Sequence, residues 1–295
     1  MDQNPVAEIG DFKKEVWSIG VDWITCTQEH GESLERIRAQ CLALADVELH
    51  SGMFGRPWSA SGYEGFSVGH LEYGERADGC IAQLHGVLSH AHWQRLYDDA
   101  RNCSRIDLEV TIPTTRDPKY VLTRLHSQME RKNRTRKKPW ELELRKKQDG
   151  AITIYSGAPS SDVRLRIYDK GRESGLPQFW WSIRFELQLR RKKSLFVSSR
   201  LAGCATRAAF TLRSVLSMAV NRGCRLSSLL KAFGQTVSLE TLRTPGLETD
   251  ADRRVKWLDK SVRPCLQHLI ELKGEELVMR ALGFPSGRLE RSNSS

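Results

Sequence analysis

The segment Ser104–Ile112, SRIDLEVTI, has the most regular strand pattern in the chain. Successive side chains of a strand point to opposite faces, so the aliphatic residues at even positions 106–112 share one face. The odd positions are polar, and they place Asp107 and Glu109 side by side on the other face. We therefore expect a strand that buries its aliphatic face and presents two neighbouring carboxylates.

Two later segments repeat this alternation. Val163–Asp169 places Tyr168 and two arginines on one face, and Phe179–Arg190 places Arg184 and Glu186 together. If the three strands are neighbours in one sheet, then acids, arginines and a tyrosine hydroxyl meet on one surface.

Strand patterns also occur outside this set. β-Branched and aromatic residues favour a strand over Trp17–Thr27, and glycines with short aromatic runs favour hairpins in residues 51–87. A further strand is expected over Ala151–Ser156. Together these patterns predict a curved, mainly antiparallel sheet.

Apolar residues at helical spacing predict helices that flank the sheet. They occur over Glu32–Leu44 and Ser89–Ala100, where Ser33 and Ser89 are the expected N-caps. Helix is also expected over Tyr120–Arg134. The fold class is therefore α/β, of the α+β kind, and the sequence shows no internal repeat.

The chain after residue 191 is mainly helical in pattern, and residues 253–272 carry apolar side chains at helical spacing. Pro245 and Gly246 indicate a linker. We expect one domain over residues 1–244, which contains the sheet, and a helical C-terminal segment with a polar tail over residues 245–295.

The composition excludes several classes of protein. The chain has seven cysteines without a CxxC pair, which favours reduced thiols in the cytoplasm and argues against a zinc ribbon or a disulfide scaffold. No apolar run approaches the 18 residues of a membrane-spanning helix, and the N-terminus has no signal-peptide pattern. Walker, dinucleotide-binding and GxSxG motifs are missing, which argues against helicases, dehydrogenases and hydrolases.

The net charge of +10 is concentrated in two runs. Residues 116–147 hold twelve Lys/Arg against four Asp/Glu, and residues 184–207 hold seven against one. Outside these runs acids outnumber bases, so the cationic charge is local and predicts a polyanionic partner. Nucleic acid is the expected partner, because no basic amphipathic helix suggests a membrane surface.

The three polar strand faces carry the parts that phosphodiester cleavage needs. Paired carboxylates hold a hard divalent cation, arginines neutralise a phosphate, and a tyrosine hydroxyl is a nucleophile. Spacing alone also fits a solvated sheet face with cross-strand ion pairs, and the residues leave both interpretations open.

The order of motifs RIDLEV (105–110), IYSGAPSSDVRLRIYDKG (154–171) and WWSIRFELQLR (180–190) resembles the Rep_trans family of replication initiation proteins. These proteins act in rolling-circle plasmids, filamentous phages and some conjugative elements. WLDKSVRPCL (257–266) also resembles a segment of phage-borne members. The resemblance covers roughly residues 17–282 and is loose before Arg105.

This resemblance implies an origin-specific, metal-dependent nickase and strand transferase in a bacterial cytoplasm. Its tyrosine would form a 5′-phosphotyrosine intermediate, with Mg²⁺ or Mn²⁺ as cofactor. Carried over, the pattern makes Tyr168 the nucleophile, with Tyr155 as the alternative. The metal ligands would be Asp107, Glu109 and Glu186, and the charges on the phosphate would be neutralised by Arg166, Lys170 and Arg184.

Expected partners follow from the same resemblance and from the basic runs. The origin DNA, single-stranded or supercoiled, is the main partner, and a host helicase and a second copy of the chain are further candidates. Trp140, Trp180 and Trp181 are candidates for stacking on unpaired bases. The DNA-contacting side chains would be Arg131, Lys132, Arg134, Arg136, Lys137, Lys138, Arg190, Arg191, Lys192 and Lys193.

Three other interpretations compete with this one. His90-Ala91-His92 matches the His-hydrophobic-His metal motif of other nickases, but the flanking sequence favours a helix, on which the two rings diverge by about 200°. A tyrosine recombinase would carry its arginines and tyrosine on helices rather than strands. A DNA-binding regulator with the same fold but no nicking activity would keep the basic runs, and it would have no need for a carboxylate pair.

Overall fold

The computed structural model describes residues 11–29, 31–176 and 179–233, together with residues 263, 267–268, 270–271 and 278. The chain divides into two compact units, residues 1–243 and 244–295. The predicted C-terminal helical segment lies largely outside the described residues, and the few that are described there are helical.

The N-terminal half of the first unit consists of a long strand, a helix, a four-stranded meander and a second helix. In chain order these are β1 (Ser18–Glu29), α1 (Glu32–His50), β2 (Gly55–Ala60), β3 (Tyr63–Val68), β4 (Leu71–Arg76), β5 (Gly79–His85) and α2 (Gly86–Ala100).

The following residues repeat this order of elements. They form β6 (Cys103–Pro113), α3 (Pro118–Arg134), β7 (Leu142–Lys146), β8 (Ile152–Ser156), β9 (Val163–Asp169), the short helix α4 (Lys170–Ser174), β10 (Ser182–Arg190) and α5 (Lys192–Ala202). Two more helices follow, α6 (Arg207–Asn221) and α7 (Ser227–Phe233).

All ten strands form one antiparallel sheet in the order β2-β3-β4-β5-β1-β6-β10-β9-β8-β7. The long strands β1 and β6 are central. In the first half the last strand, β5, pairs with β1, and in the second half the last strand, β10, pairs with β6. The sheet is therefore a topological duplication, although the two halves show no repeat in sequence. The mainly antiparallel α+β class predicted from the sequence is confirmed.

One hydrophobic core joins the sheet to its helices. The aliphatic side chains of β6 are completely buried, and they belong to one cluster with the apolar residues of α1, α2, α3, α5 and α6. This buried face fixes the register, because a slip of one residue would turn the aliphatic side chains to the polar face. No helix in the described part of the chain is long and apolar enough to cross a membrane.

The helix N-caps differ from the sequence prediction in two places. α1 begins after Gly31 and α2 after His85, and neither has a side-chain cap. Ser33 lies inside α1, where its hydroxyl accepts a hydrogen bond from Arg36, and Ser89 is buried inside α2. The caps predicted at Ser33 and Ser89 are therefore wrong, because α1 begins at Glu32, as predicted, with Ser33 already inside it, and α2 begins at Gly86, ahead of Ser89.

Candidate active site

The polar face of the sheet is built by β6, β10 and β9, which are adjacent in this order. The register places Glu109 opposite Glu186, and Glu186 opposite Arg166. In the next row Arg184 lies opposite Tyr168. Residues opposite each other share a face and have Cα atoms about 4.5–5.5 Å apart. The three strands recognised in the sequence are therefore neighbours, and their polar side chains meet.

Glu109 is completely buried and is held by side chains from three elements. Arg184 Nε lies 3.2 Å from Glu109 Oε2, while Glu109 Oε1 accepts a hydrogen bond from Ser18 and lies 3.3 Å from His90 Nε2. Burial would raise the pKa of Glu109, but the hydrogen bond with His90 and the charge of Arg184 outweigh it, and the pKa lies below its ordinary value. Glu109 is therefore ionised at neutral pH.

Asp107 occupies a second buried position on the same strand. Arg105 binds both of its oxygens, with Nε 3.0 Å from Oδ1, and the Gln188 amide donates to Oδ2 at 3.3 Å. Burial raises the pKa of Asp107, and the Arg105 guanidinium opposes this shift. The carbon atom of the same guanidinium lies 4.3 Å from the centre of the Trp23 ring, so Arg105 contacts both Asp107 and Trp23.

Glu186 connects an arginine to the candidate nucleophile. Arg166 Nη1 lies 3.1 Å from Glu186 Oε1, and the Tyr168 hydroxyl donates to Glu186 Oε2 at 3.2 Å. Burial raises the pKa of Glu186 to about 7, against the opposing charge of Arg166. Tyr168 is only 3% exposed, and burial followed by the Glu186 charge raises the pKa of its hydroxyl well above the ordinary value.

Tyr155 lies on the same face, one strand further out. It is opposite Arg166 in the register of β8 and β9, and its side chain is half-buried. Its ring lies between Arg164 and Arg145, whose guanidinium carbons are 4.2 and 5.0 Å from the ring centre. The structure thus brings both candidate tyrosines to the polar face, and it leaves Tyr155 more accessible than Tyr168.

The donor types of this site fit a hard divalent cation. Asp107, Glu109 and Glu186 supply carboxylate oxygens from adjacent positions of two paired strands, and such oxygens are the preferred ligands of Mg²⁺ and Mn²⁺. Within the described ranges, no group of three or more His, Cys, Asp or Glu side chains is arranged to hold a metal ion. Each carboxylate contacts an arginine instead, Asp107 with Arg105, Glu109 with Arg184 and Glu186 with Arg166.

The histidine pair His90 and His92 lies on α2, as the flanking sequence predicts. His90 points to Glu109, whereas His92 lines a groove between α1 and α2. Gly20, opposite Glu109 on β1, provides the space for His90, because a Cβ at Gly20 would lie 2.6 Å from His90 Nδ1.

Several residues of this face were not predicted to belong to the site. The strand alternation places Arg105, Thr111 and Gln188 on the polar faces, but it predicts no role for them. No pattern in the local sequence predicts that Asp22 belongs to this face. Asp22 pairs with Arg184 at 3.0 Å because β1 pairs with β6 and has a register shift between Val21 and Trp23.

Lys170 and the predicted DNA-contacting residues lie outside this cluster. Lys170 begins α4 and pairs with Glu173 at 2.6 Å. Arg191 pairs with Asp162, and Arg190 donates to the carbonyl oxygen of Pro159. In the described part of the chain, six other candidates form no ion pair, and all are exposed at the C-terminal end of α3 or just after it: Arg131, Lys132, Arg134, Arg136, Lys137 and Lys138.

The fold and the family of the chain are both shown by comparison with known proteins. The structure titled "Structure of Rolling Circle Replication Initiator Protein from Geobacillus stearothermophilus" superposes with a TM-score of 0.50 and 20% sequence identity, covering 80% of this chain and 91% of that one. The sequence profile of the Rep_trans family, described as "Replication initiation factor", matches residues 104–282. The chain belongs to this family. No curated protein sequence matches it.

Proposed function

We propose that this protein is a rolling-circle replication initiator that nicks origin DNA through a tyrosine of the polar face. Family membership supports the initiator role. One contact carries the chemical part of the proposal: the Tyr168 hydroxyl donates to Glu186, whose pKa is raised to about 7 by burial. A carboxylate that titrates near neutral pH is suited to accept the tyrosine proton.

In the proposed reaction the Tyr168 oxygen attacks the scissile phosphorus while its proton passes to Glu186. A bond forms between the tyrosine oxygen and phosphorus, and the bond between phosphorus and the 3′ oxygen breaks. The released 3′ oxygen takes up a proton and becomes the hydroxyl that primes synthesis. Arg166 and Arg184 lie beside this tyrosine and would neutralise the charge that develops on the phosphate, with Lys170 as a further cation.

The cofactor in this proposal is Mg²⁺ or Mn²⁺, which Asp107 and Glu109 would hold, while Glu186, the third ligand that the family resemblance implies, would act as the proton acceptor. When bound, the ion would polarise the phosphate and stabilise its negative charge. The chain's own arginines hold these carboxylates in position until the ion and the DNA enter.

One observation favours a second candidate function. Tyr168 is almost completely buried, and all three carboxylates are neutralised by arginines. This arrangement also suits a DNA-binding replication regulator that has the fold but no nicking activity. The same burial makes Tyr155 the alternative nucleophile, because it lies on the same face and is more accessible.

A test for a covalent protein–DNA adduct distinguishes these candidates. The protein is incubated with single-stranded circular and supercoiled DNA in Mn²⁺, Mg²⁺ or EDTA and analysed on a denaturing gel. We expect a metal-dependent adduct that Tyr168→Phe abolishes and Tyr155→Phe retains. Loss of the adduct with Tyr155→Phe but not with Tyr168→Phe would identify Tyr155, on β8, as the nucleophile. Binding in gel shifts without any adduct, on DNA from the protein's own replicon, would support the regulator.

A further inference from the structure

A cavity of about 390 Å³ lies at the end of the β9–β10 hairpin. We call it the indole pocket and define it by Asp117, Asp169, Arg172, Trp180 and Trp181. Trp180 is 62% exposed and Trp181 is 53% exposed. Large aromatic side chains gain free energy from burial, so two adjacent exposed indoles beside a cavity indicate a surface that a ligand covers.

The chain holds these indoles in place at some conformational cost. Trp181 has a φ of 62°, which is strained for a bulky residue. Its carbonyl oxygen accepts two hydrogen bonds from Thr114, from the backbone N at 2.6 Å and from Oγ1 at 3.0 Å. Gly171 permits close approach of the turn, because a Cβ there would lie 2.9 Å from Trp180 Cα. The backbone of Trp181 is therefore held by Thr114, which directly follows β6.

The carboxylates that line the indole pocket favour the base of a nucleotide over its phosphate. Asp169 is buried in it, and Asp117 lies at the N-terminus of α3. These carboxylates repel a phosphate, but they can accept hydrogen bonds from the N–H groups on the edge of a base. Arg172 is half-exposed, with Nε 3.5 Å from Asp169 Oδ2, and it provides a cation at the rim.

We propose that the indole pocket binds an unpaired base of single-stranded DNA by stacking it on Trp180 and Trp181. This inference rests on the proposed function, which makes DNA the substrate. The pocket lies where β9 ends and β10 begins, and these two strands carry Tyr168 and Glu186. The third candidate, Trp140, is already covered on its ring by Arg136 at 4.3 Å and Arg222 at 4.6 Å.

Binding measured without cleavage tests this proposal. The variants are Trp180→Ala, Trp181→Asn and the pair, with asparagine chosen because it tolerates a positive φ. The probe is a fluorescein-labelled single strand of about 20 nucleotides, longer than the usual footprint of such sites, together with its duplex. Fluorescence anisotropy in EDTA reports the affinity. We expect the double variant to bind the single strand about 5- to 150-fold more weakly, with unchanged affinity for the duplex.

The matched control is Phe54→Ala, which removes an aromatic side chain that is 92% exposed elsewhere on the surface. It should bind both probes like the wild type. A second readout moves a single abasic position along the strand. The wild type should lose affinity at one region of the strand, and this loss should disappear in the double variant.

Two results would overturn the proposal that the indole pocket binds an unpaired base. The double variant could bind the single strand like the wild type, or it could lose affinity for the single strand and the duplex equally. If Trp181→Asn fails to fold, Trp180→Ala alone decides the question. Failure of the proposed nicking shows separately as an absent covalent adduct, since the anisotropy measurement involves no cleavage. A wild type that binds neither probe would contradict both proposals.

Discussion

At the scale of single residues, burial and ion pairing compete at Glu186. The side chain is buried, and its ion pair with Arg166 compensates only part of the cost of desolvation, so the pKa remains near 7. Glu109, equally buried, has Arg184, Ser18 and His90 around it, and its pKa is lowered. The pKa values of these two cross-strand neighbours differ because Glu109 has more donors around it and because the charges of Asp107 and Asp22 raise the pKa of Glu186.

This difference predicts a pH-dependent stability for Glu186→Gln. The folded-state pKa of about 7 lies above the ordinary 4.5, so between these values the folded protein binds more protons than the unfolded chain. The contribution of Glu186 to wild-type stability therefore falls as pH rises through this window, and glutamine does not titrate. The free energy of unfolding of the variant relative to wild type should increase by up to about 3 kcal/mol from pH 5 to pH 8.

Urea unfolding at the two pH values measures this change. Glu143→Gln is the matched control, because Glu143 pairs with Arg145 at the surface and its pKa is lowered rather than raised. Its stability relative to wild type should not increase with pH. A constant difference for Glu186→Gln would show that Glu186 does not have a raised pKa.

At the scale of elements, the contact between β1 and α2 decides how Glu109 is surrounded. Gly20 leaves the space that His90 occupies beside Glu109. The sequence contains both residues but not their contact, because seventy residues separate them and only the pairing of β1 with β6 brings Gly20 opposite Glu109.

We predict that Gly20→Ala and His90→Ala are energetically coupled. The added Cβ would displace His90, so Gly20→Ala alone should destabilise the protein by about 1–3 kcal/mol. In the His90→Ala background the ring is absent, and the cost should fall by about 1 kcal/mol or more. A double-mutant cycle by chemical denaturation measures the coupling. Additive costs would mean that the close contact relaxes without displacing His90.

The sequence predicted the strands of the site better than the helix caps. The limits of β9 agree with the alternation of its residues, since one polar and one buried face leave a period of two. β7 was not predicted, because its short edge strand has mainly charged and half-buried residues. Strand Phe179–Arg190 begins only at Ser182, since Trp181 has a positive φ that ends the extended conformation.

At the scale of the whole molecule, groups of exposed basic residues differ in whether acids pair with them. Arg36, Arg38 and Arg76 in the N-terminal half each pair with acids. By contrast, the exposed cations at the end of α3 form no ion pairs among the described residues. Lys132 packs closely against Gly223, which brings this basic end next to the C-terminus of α6.

This distribution predicts which cations contact DNA. The triple variant Arg134→Ala, Lys137→Ala, Lys138→Ala should bind duplex DNA more weakly and reduce the slope of log affinity against log salt by up to about 3, since each phosphate contact contributes about 1. Anisotropy titrations across a salt series measure the slope. The matched triple variant Arg36→Ala, Arg38→Ala, Arg76→Ala should retain the wild-type slope. Equal loss in both triples would indicate an effect of net charge alone.

The sequence by itself determined the α+β class, the family resemblance and the polar residues of β6, β9 and β10, because a strand period of two can be read locally. Only the tertiary structure decided what depends on contacts between distant segments. It joined two halves of the same topology into one sheet and placed Ser18, Asp22 and His90 around the polar face. It also buried Tyr168 and left Tyr155 half-exposed. Burial and pKa depend on every element packed around a side chain, and no local pattern in the sequence contains that information.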